Sequence, residues 1–167
     1  MIVNVSKIIK VPDSIMELSF EEKIDFIESS FGKIKLLKPI HFTGKMVNDG
    51  KALCLNGFLS TVLELYCDRC TKPVETSLSI NIKEKFSSES IDEEEIHKVN
   101  SGSEIDLTPM FIDAILLNIP MKTVCDTQCK GLCPQCGQNL NEGTCDCKDS
   151  NIDPRFTVLR TFFKDSE

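Results

Sequence analysis

Six cysteines lie within the 23 residues that run from Cys125 to Cys147, and thiols at such short spacing are typical ligands of a metal ion. The chain between them is polar and rich in Gly and Asn, so it holds little apolar material from which to build a core. Because metal binding can supply the folding free energy that packing lacks, the sequence predicts a zinc site in this segment.

The predicted zinc ligands are Cys133, Cys136, Cys145 and Cys147. The substitutes for them are Cys125 and Cys129. Cys133-Pro-Gln-Cys136-Gly137 has the form of a zinc knuckle, in which Pro stiffens the turn and Gly lets backbone N–H groups point at sulfur. A cluster of two zinc ions that shares all six cysteines through bridging thiolates stays open, and so does an iron–sulfur cluster.

The same cysteines have two redox interpretations: the iron–sulfur site of a radical enzyme, which we reject, and a zinc site that responds to oxidation, which we keep as an alternative. Cys129-x3-Cys133-x2-Cys136 matches the iron–sulfur motif of radical enzymes that cleave S-adenosylmethionine. That chemistry needs a large barrel around the radical, which we do not expect from the 20 residues after Cys147. Zinc thiolates can instead be oxidised and release their metal, so a redox-responsive zinc-binding regulatory protein is the alternative function.

Cys67-Asp-Arg-Cys70 is a possible second thiol pair. A thioredoxin-type pair opens a helix, whereas this one is followed by Pro73 and a β-strand pattern, so a thiol oxidoreductase is the least favoured function. The favoured interpretation is that the turn packs its cysteines as small apolar groups. The other is that the pair completes a metal site with distant cysteines.

The rest of the sequence, which must position these cysteines, predicts an α+β fold. This fold has an antiparallel β-sheet core, a few short helices and a small, zinc-stapled, Cys-rich unit at the C-terminal end. Residues 2–9 predict a first strand. Ser19 to Glu22 has capping-box spacing, and the helical recurrence of apolar residues from Phe20 to Phe31 predicts a short helix.

The sheet signal is clearest in the middle of the chain. Asn48-Asp-Gly50 predicts a hairpin between a strand that begins at Ile40 and a strand that runs to Tyr66. After Pro73 the apolar and polar residues alternate as far as Phe86, which indicates an antiparallel sheet with one wet face.

The predicted domain organisation has two parts. Residues 1–120 form the α+β core, with an acidic mobile loop at 87–104 and a covering helix at 108–118 that Thr108 caps. Residues 121–167 form the Cys-rich metal-binding unit, with a terminal helix opened by Asp153-Pro154.

The net charge of −7 is unevenly spread. Lys and Arg exceed Asp and Glu by one in residues 1–86 (12 against 11), whereas residues 87–106 carry −6 (1 against 7). No region is basic enough to bind nucleic acid by phosphate neutralisation alone. One locally basic stretch is a candidate RNA-contacting edge: Lys33, Lys35, Lys38, Lys45 and Lys51, with Phe31 and Phe42.

The expected compartment is the cytoplasm. The N-terminus lacks the pattern of a signal peptide, and the apolar cluster around Ala114 to Leu117 is too short to span a membrane, which takes about 20 residues. The odd count of nine cysteines also favours metal-binding thiols over a secreted disulfide scaffold.

Together these features resemble the YceD-like family of large ribosomal RNA subunit accumulation proteins. The resemblance is carried by the following segments: Cys67-Asp-Arg-Cys70, Glu84-Lys-Phe86, Glu104-Ile-Asp-Leu107, Ile115-Leu-Leu-Asn-Ile-Pro120, Cys129-Lys-Gly-Leu-Cys133-Pro-Gln-Cys136-Gly137, Asn139-Leu-Asn141, Cys145-Asp-Cys147 and Asp153-Pro-Arg155. The acidic insertion belongs to the same pattern, and the C-terminal run is the most specific part of it.

The resemblance implies a bacterial cytoplasmic protein that supports accumulation, processing or assembly of the large-subunit (23S) ribosomal RNA. It implies no catalytic activity, and the sequence shows no acid–base constellation. Some family members keep the Cys67/Cys70 turn and lack the C-terminal cysteines, which implies that the two groups work separately. Because the chain is acidic, we expect it to meet the large-subunit precursor through a ribosomal or assembly protein, with direct RNA contact left open and no membrane contact.

Overall fold

The computed structural model describes residues 1–29, 32–87, 96–98 and 103–147, which form nine strands and one helix. The strands are β1 (Ile2–Asn4), β2 (Ile15–Glu22), β3 (Phe26–Ser29), β4 (Gly32–Leu36), β5 (Ile40–Asn48), β6 (Leu53–Tyr66), β7 (Pro73–Ser87), β8 (Ile96–Lys98) and β9 (Glu104–Asp106), and the helix is α1 (Thr108–Leu117). Within these residues no helix has the length and apolar character needed to cross a membrane.

A long antiparallel hairpin of β6 and β7 organises the main sheet. Its register runs from Leu53 opposite Phe86 to Tyr66 opposite Pro73, at the turn that carries the first cysteine pair. The other edge of β6 pairs with β5 and then with β4, and β2 and β3 lie outside these two strands. β8 adds to β7 in parallel, and β1 pairs with β9 in a separate two-stranded sheet.

The predicted hairpin at Asn48-Asp-Gly50 is confirmed, because β5 and β6 pair from Asn48 opposite Leu53. The loop has four residues, 49–52, and is closed by a side chain. The Asp49 carboxylate accepts the backbone N–H groups of Lys51 and Ala52 at 2.9 and 2.7 Å. Gly50 supplies the left-handed conformation, with φ of 86°.

The predicted alternation along β7 is also confirmed, and β6 alternates in the same way. The inward residues, including Leu55, Leu59 and Ile82, are buried in one core, and α1 covers this face as expected. The ring of Phe111 on α1 lies 4.8 Å from that of Phe42 on β5, between ring centroids. The predicted helix at 108–118 therefore exists and ends at Leu117, but its N-cap residue is Leu107, so the cap predicted at Thr108 is wrong.

Two opposed glycines make room for the central ring of this core. Gly44 on β5 lies opposite Gly57 on β6, and the Phe42 ring rests against the pair. A Cβ added at Gly57 would lie 2.6 Å from the Phe42 ring and 2.5 Å from the carbonyl oxygen of Thr43. Only glycine therefore permits this packing.

The helix predicted from Ser19 to Phe31 is wrong. Ser19 and Phe20 lie in β2, where Phe20 faces Phe42 across the strand pair, and Phe26–Ser29 forms β3. Met16, Leu18 and Phe20 alternate inward, and pairing with β5 outweighs the weaker helical recurrence further along. The first strand is also shorter than predicted, since β1 ends at Asn4.

Two further predictions fall mainly outside the described residues. The terminal helix opened by Asp153-Pro154 lies wholly outside them. Most of the acidic segment 87–104 does too, and its described part includes the short strand Ile96–Lys98.

Candidate metal centres

The turn between β6 and β7 holds its two cysteines in a tight knuckle. The backbone N–H of Thr71 donates to the carbonyl oxygen of Cys67, and the N–H of Cys67 donates to that of Lys72, both at 2.8 Å. Thr71 has φ of 58°, in the left-handed region that a β-branched residue seldom adopts. The sulfur atoms of Cys67 and Cys70 thereby lie within 4.8 Å of each other.

The segment that follows α1 returns to this turn and is fastened to it. The N–H of Asp68 donates to the carbonyl oxygen of Thr123 at 2.8 Å, and the N–H of Thr123 donates to the Asp68 carboxylate at 2.7 Å. The Arg69 guanidinium donates to the carbonyl oxygen of Cys129 at 2.8 Å. These bonds bring Cys125 and Cys129 to a turn more than 50 positions earlier in the chain.

Cys67, Cys70, Cys125 and Cys129 form a group that we call centre A. Their four sulfur atoms all lie within 4.8 Å of one another. The Sγ atoms of Cys67 and Cys129 are 4.0 Å apart, and those of Cys70 and Cys125 are 3.5 Å apart. Zinc–sulfur bonds of about 2.3 Å in a tetrahedron place the sulfurs about 3.8 Å apart. The donors of centre A therefore fit a tetrahedral zinc ion without rearrangement of the backbone.

Centre A is sheltered and is surrounded by N–H donors. Three of its cysteines are buried, and Val74, Val124 and Leu132 pack against them. The backbone N–H of Arg69 donates to the sulfur of Cys67 at 3.4 Å, and the Asn141 amide donates to that of Cys129 at 3.3 Å. Hydrogen bonds of this kind orient metal-ligating thiolates and stabilise their charge.

Cys133, Cys136, Cys145 and Cys147 form a second group, centre B, whose sulfur atoms also lie within 4.8 Å of one another. Its knuckle has the same backbone pattern as that of centre A. The N–H of Gly137 donates to the carbonyl oxygen of Cys133 at 2.9 Å, and Gly137 has φ of 74°. Gly137 thus occupies the place that Thr71 takes in the first knuckle, at no steric cost.

The frames of the two centres are joined through a short crossing of the chain. The N–H of Leu132 donates to the carbonyl oxygen of Arg69 at 3.0 Å, and Leu132 bridges to Asn139. Gly131 passes so close to the first knuckle that an added Cβ would lie 3.0 Å from the Arg69 carbonyl oxygen. The ion pair between Lys72 and Glu142, at 2.6 Å, adds an exposed contact between the same segments.

The two centres differ in exposure. In centre A only Cys125 is exposed, whereas in centre B both Cys136 and Cys147 are exposed and Cys133 is the buried member. Centre A thus belongs to the end of the sheet, while centre B stands at the surface. An oxidant or a chelator can approach centre B more easily than centre A.

Within the two groups, the pKa values of some thiols are lowered and those of others are raised. Hydrogen bonds from the backbone N–H groups of Cys125 and then Arg69 lower the pKa of Cys67 to about 6. Those from Cys136 and then Gln135 lower the pKa of Cys133 to about 6. Hydrogen bonding with neighbouring thiols, first of all Cys70, raises the pKa of Cys125 to about 12. A bound cation removes this conflict between adjacent thiolates.

The structure therefore groups eight cysteines as two sets of four. Centre B contains the four cysteines that the sequence favoured as ligands, and their role as ligands stays a prediction. The substitutes Cys125 and Cys129 lie in centre A, together with Cys67 and Cys70. Sequence reasoning ranked this long-range grouping second. The sequence did contain a signal for centre A. If Cys133, Cys136, Cys145 and Cys147 bind one ion, the pairs Cys67/Cys70 and Cys125/Cys129 are left over to form a second site.

The basic stretch proposed as an RNA-contacting edge is dispersed. Lys33 pairs with Glu28, and Lys35 pairs with Glu64, at 3.4 and 3.5 Å. Phe42 is buried in the core, and Phe31 lies outside the described residues. Of this stretch, Lys45 lies on the outer side of the sheet, in the same row as Lys83 of β7, with Asn56 of β6 between them.

The fold and these cysteines define a mostly antiparallel sheet protein with two candidate tetrathiolate metal centres at the end of its longest hairpin. The match of residues 55–163 to the family described as large ribosomal RNA subunit accumulation protein YceD covers β6 from Leu55 onward, β7, the helix and both centres. The chain belongs to this family.

Curated relatives include plant and bacterial proteins. The chain is 26% identical over 151 residues to an Arabidopsis thaliana protein named large ribosomal RNA subunit accumulation protein YCED homolog 1, chloroplastic, with 70% of this chain and 47% of that protein covered. It is 27% identical to the Bacillus subtilis protein YlbN, with 89% of each chain covered, and 35% identical over 99 residues to the Mycobacterium tuberculosis protein Rv2926c, with 56% and 47% covered. The chain thus spans about half the length of its plant relative. No solved structure matches the chain.

Proposed function

We propose that this chain is a non-enzymatic factor that supports the accumulation of large-subunit ribosomal RNA, by acting in its processing or assembly in the cytoplasm. Membership of the family named for that RNA is the observation that carries the proposal. The partner proposed is the large-subunit ribosomal precursor. The cysteines are grouped as a metal site requires, and we propose that their role is structural.

We propose further that each centre holds one structural zinc ion. Four thiolate donors at tetrahedral spacing suit zinc, which needs no open position when its role is structural. Residues 118–147 contain neither a helix nor a strand, so we expect bound ions to supply much of the folding free energy of this segment. At centre A the ion would join the segment to the β6–β7 turn, and at centre B it would close a local loop.

Metal analysis of the purified full chain tests the zinc proposal. We expect two zinc ions per chain, one in a Cys67→Ser variant and one in a Cys133→Ser variant. Cys54→Ser is the matched control, because Cys54 lies on β6 outside both centres, and it should retain both ions. A Cys67→Ser protein that still holds two ions would exclude centre A. Iron with visible absorption in place of zinc would favour an iron–sulfur cluster.

Depletion of the protein in its own cells tests the functional proposal. We expect the large-subunit ribosomal RNA to fall relative to the small-subunit RNA, with precursor species accumulating. Wild-type protein should restore the ratio, and Cys54→Ser should do so equally. Unchanged RNA in depleted cells would refute the role. Cleavage or modification of precursor RNA by the purified protein would refute its non-enzymatic character.

A redox-responsive zinc regulator is the second candidate, and the exposure of Cys136 and Cys147 is what favours it. Exposed thiolates react with peroxide faster than buried ones, so centre B should release its zinc first. Peroxide titration with a zinc indicator should then show one early equivalent, absent from Cys133→Ser. Retention of both ions at low peroxide would exclude this function.

A further inference from the structure

The side of the main sheet that faces away from α1 carries an exposed aromatic ring at its centre. Phe58 on β6 is 61% exposed. Its direct cross-strand neighbours are Thr43 on β5 and Asn81 on β7, and both are polar. The ring is therefore not covered by apolar side chains from the adjacent strands, although it lies in the middle of the sheet.

Two lysines flank this ring in the adjacent row of the sheet. Asn56 pairs with Lys45 on one side and with Lys83 on the other. Because residues two positions apart share a face, both lysines lie diagonal to Phe58, within reach of its surroundings. We call Thr43, Lys45, Asn56, Phe58, Asn81 and Lys83 the outer face.

The outer face is concave where these residues meet. A depression of about 730 Å³ is lined by Phe58, by both amide side chains and by both lysines, with Gly44 and Gly57 in its wall. A second depression of about 490 Å³ follows in the next rows and is lined by His41, Ser60 and Ser79 among others. The two depressions therefore lie in successive rows on the same side of the sheet.

We propose that the outer face binds single-stranded RNA. The Phe58 ring would stack on a base, Lys45 and Lys83 would contact phosphates, and the amides of Asn56 and Asn81 would face base edges. An exposed aromatic beside cations is the combination with which proteins bind single strands, whereas a duplex offers no free base face. The inference rests on the proposed function and deepens it, because it identifies where the precursor RNA is contacted.

The acidity of the whole chain favours a protein-mediated contact, but the charge is unevenly placed. Residues 87–106 carry −6 of the total of −7, while residues 1–86 are at +1. The acidic residue that lines the larger depression is Glu17 on β2, which lies opposite Lys45 on β5. Glu17 offsets part of the positive charge of Lys45, so its removal should strengthen RNA binding.

Fluorescence anisotropy with a labelled single-stranded RNA of about 12 nucleotides tests the proposal on the full, metal-loaded chain. Phe58→Ala should weaken binding about 5- to 150-fold, the measured range for loss of one stacked base. Phe58→Tyr should retain it, and Glu17→Gln should tighten it. Lys45→Gln with Lys83→Gln should reduce the dependence of log Kd on log salt by about 0.7 for each lysine.

A matched control separates this face from surface aromatics in general. Phe26 on β3 is 54% exposed, and Phe26→Ala should leave the affinity unchanged. The proposal is overturned if Phe58→Ala binds RNA as wild type does, if Phe26→Ala weakens binding equally, or if duplex RNA competes as well as the single strand. It is also overturned if Phe58→Ala abolishes capture of a purified ribosomal protein while RNA binding is unaffected.

These results are independent of the test of the proposed function. Binding in vitro reports on the outer face, and ribosomal RNA levels in depleted cells report on the role. A chain that binds RNA through Phe58, but whose depletion leaves ribosomal RNA unchanged, would refute the proposed function alone. A depletion phenotype that Phe58→Ala rescues fully would refute the outer face as the contact.

Discussion

Replacing Asn141 with Asp should weaken zinc binding at centre A and leave centre B unaffected. The Asn141 amide donates to the sulfur of Cys129 at 3.3 Å, and its carbonyl oxygen accepts the N–H of Lys130 at 2.8 Å. Aspartate keeps the acceptor and removes the donor, so the backbone contact survives while the thiolate loses a hydrogen bond. The added negative charge acts in the same direction.

The size of the effect follows from this geometry. Removal of a residue that supports a metal ligand typically lowers the affinity 10- to 100-fold, or about 1.4 to 2.7 kcal/mol. We therefore expect one of the two bound zinc ions to become 10 to 100 times easier to remove. The other ion should keep its wild-type affinity, because Asn141 contacts no sulfur of centre B among the hydrogen bonds of the described residues.

Competition with a coloured chelator at equilibrium measures both affinities in one titration. Wild type should release two equivalents, and Asn141→Asp should shift one of the two curves. Asn118→Asp is the matched control, since Asn118 bonds the end of α1 and lies outside both centres. The reasoning is refuted if Asn141→Asp shifts neither curve, or shifts both equally.

Three stability predictions concern the frame that holds the centres. Asn48→Ala removes the amide that donates to two carbonyl oxygens of the N-terminal turn, at 2.7 and 3.2 Å, and should lower the free energy of unfolding by about 1 to 3 kcal/mol in urea titrations. Gly57→Ala places a Cβ 2.5 Å from the carbonyl oxygen of Thr43 and should cost at least about 1 to 3 kcal/mol, seen as a lower midpoint; an unchanged midpoint would contradict the packing. Thr71→Gly should change the free energy of unfolding by less than about 1 kcal/mol. Relief of about 1 to 2 kcal/mol of left-handed strain is offset by a glycine cost of about 0.5 to 1 kcal/mol and by loss of the hydrogen bond from the Thr71 hydroxyl to the Cys70 carbonyl oxygen. A larger loss of stability would show that Thr71 is unstrained.

Local sequence patterns predicted the secondary structure correctly wherever a pattern of strand, turn or helix residues was strong. The alternation along β7, the Asp49-Gly50 turn and the Pro109 start of α1 each predict a structure that forms. The stretch from Ser19 to Phe31 failed because its spacing suits a helix weakly, and only the pairing of β2 with β5 shows which spacing is used. Strand pairing of this kind depends on a partner elsewhere in the chain.

The candidate site divides in the same manner. The cysteines of centre B lie within 15 residues, 133 to 147, so their spacing alone suggested one group. The pairs of centre A are separated by 55 and 62 positions, and strand β7 and helix α1 lie between them in the chain. No local pattern states that Cys125 belongs with Cys70.

The sequence by itself determined three features of this protein. These are the paired thiols, the sheet with its hairpins, and the family to which the chain belongs. These features are set by residues near one another in the chain, where spacing and propensity act directly. Tertiary structure alone decided that Cys67 and Cys70 lie with Cys125 and Cys129, and that Phe58, Lys45 and Lys83 share one face. The physical reason is that register between strands determines which distant side chains become neighbours, and register depends on the whole sheet.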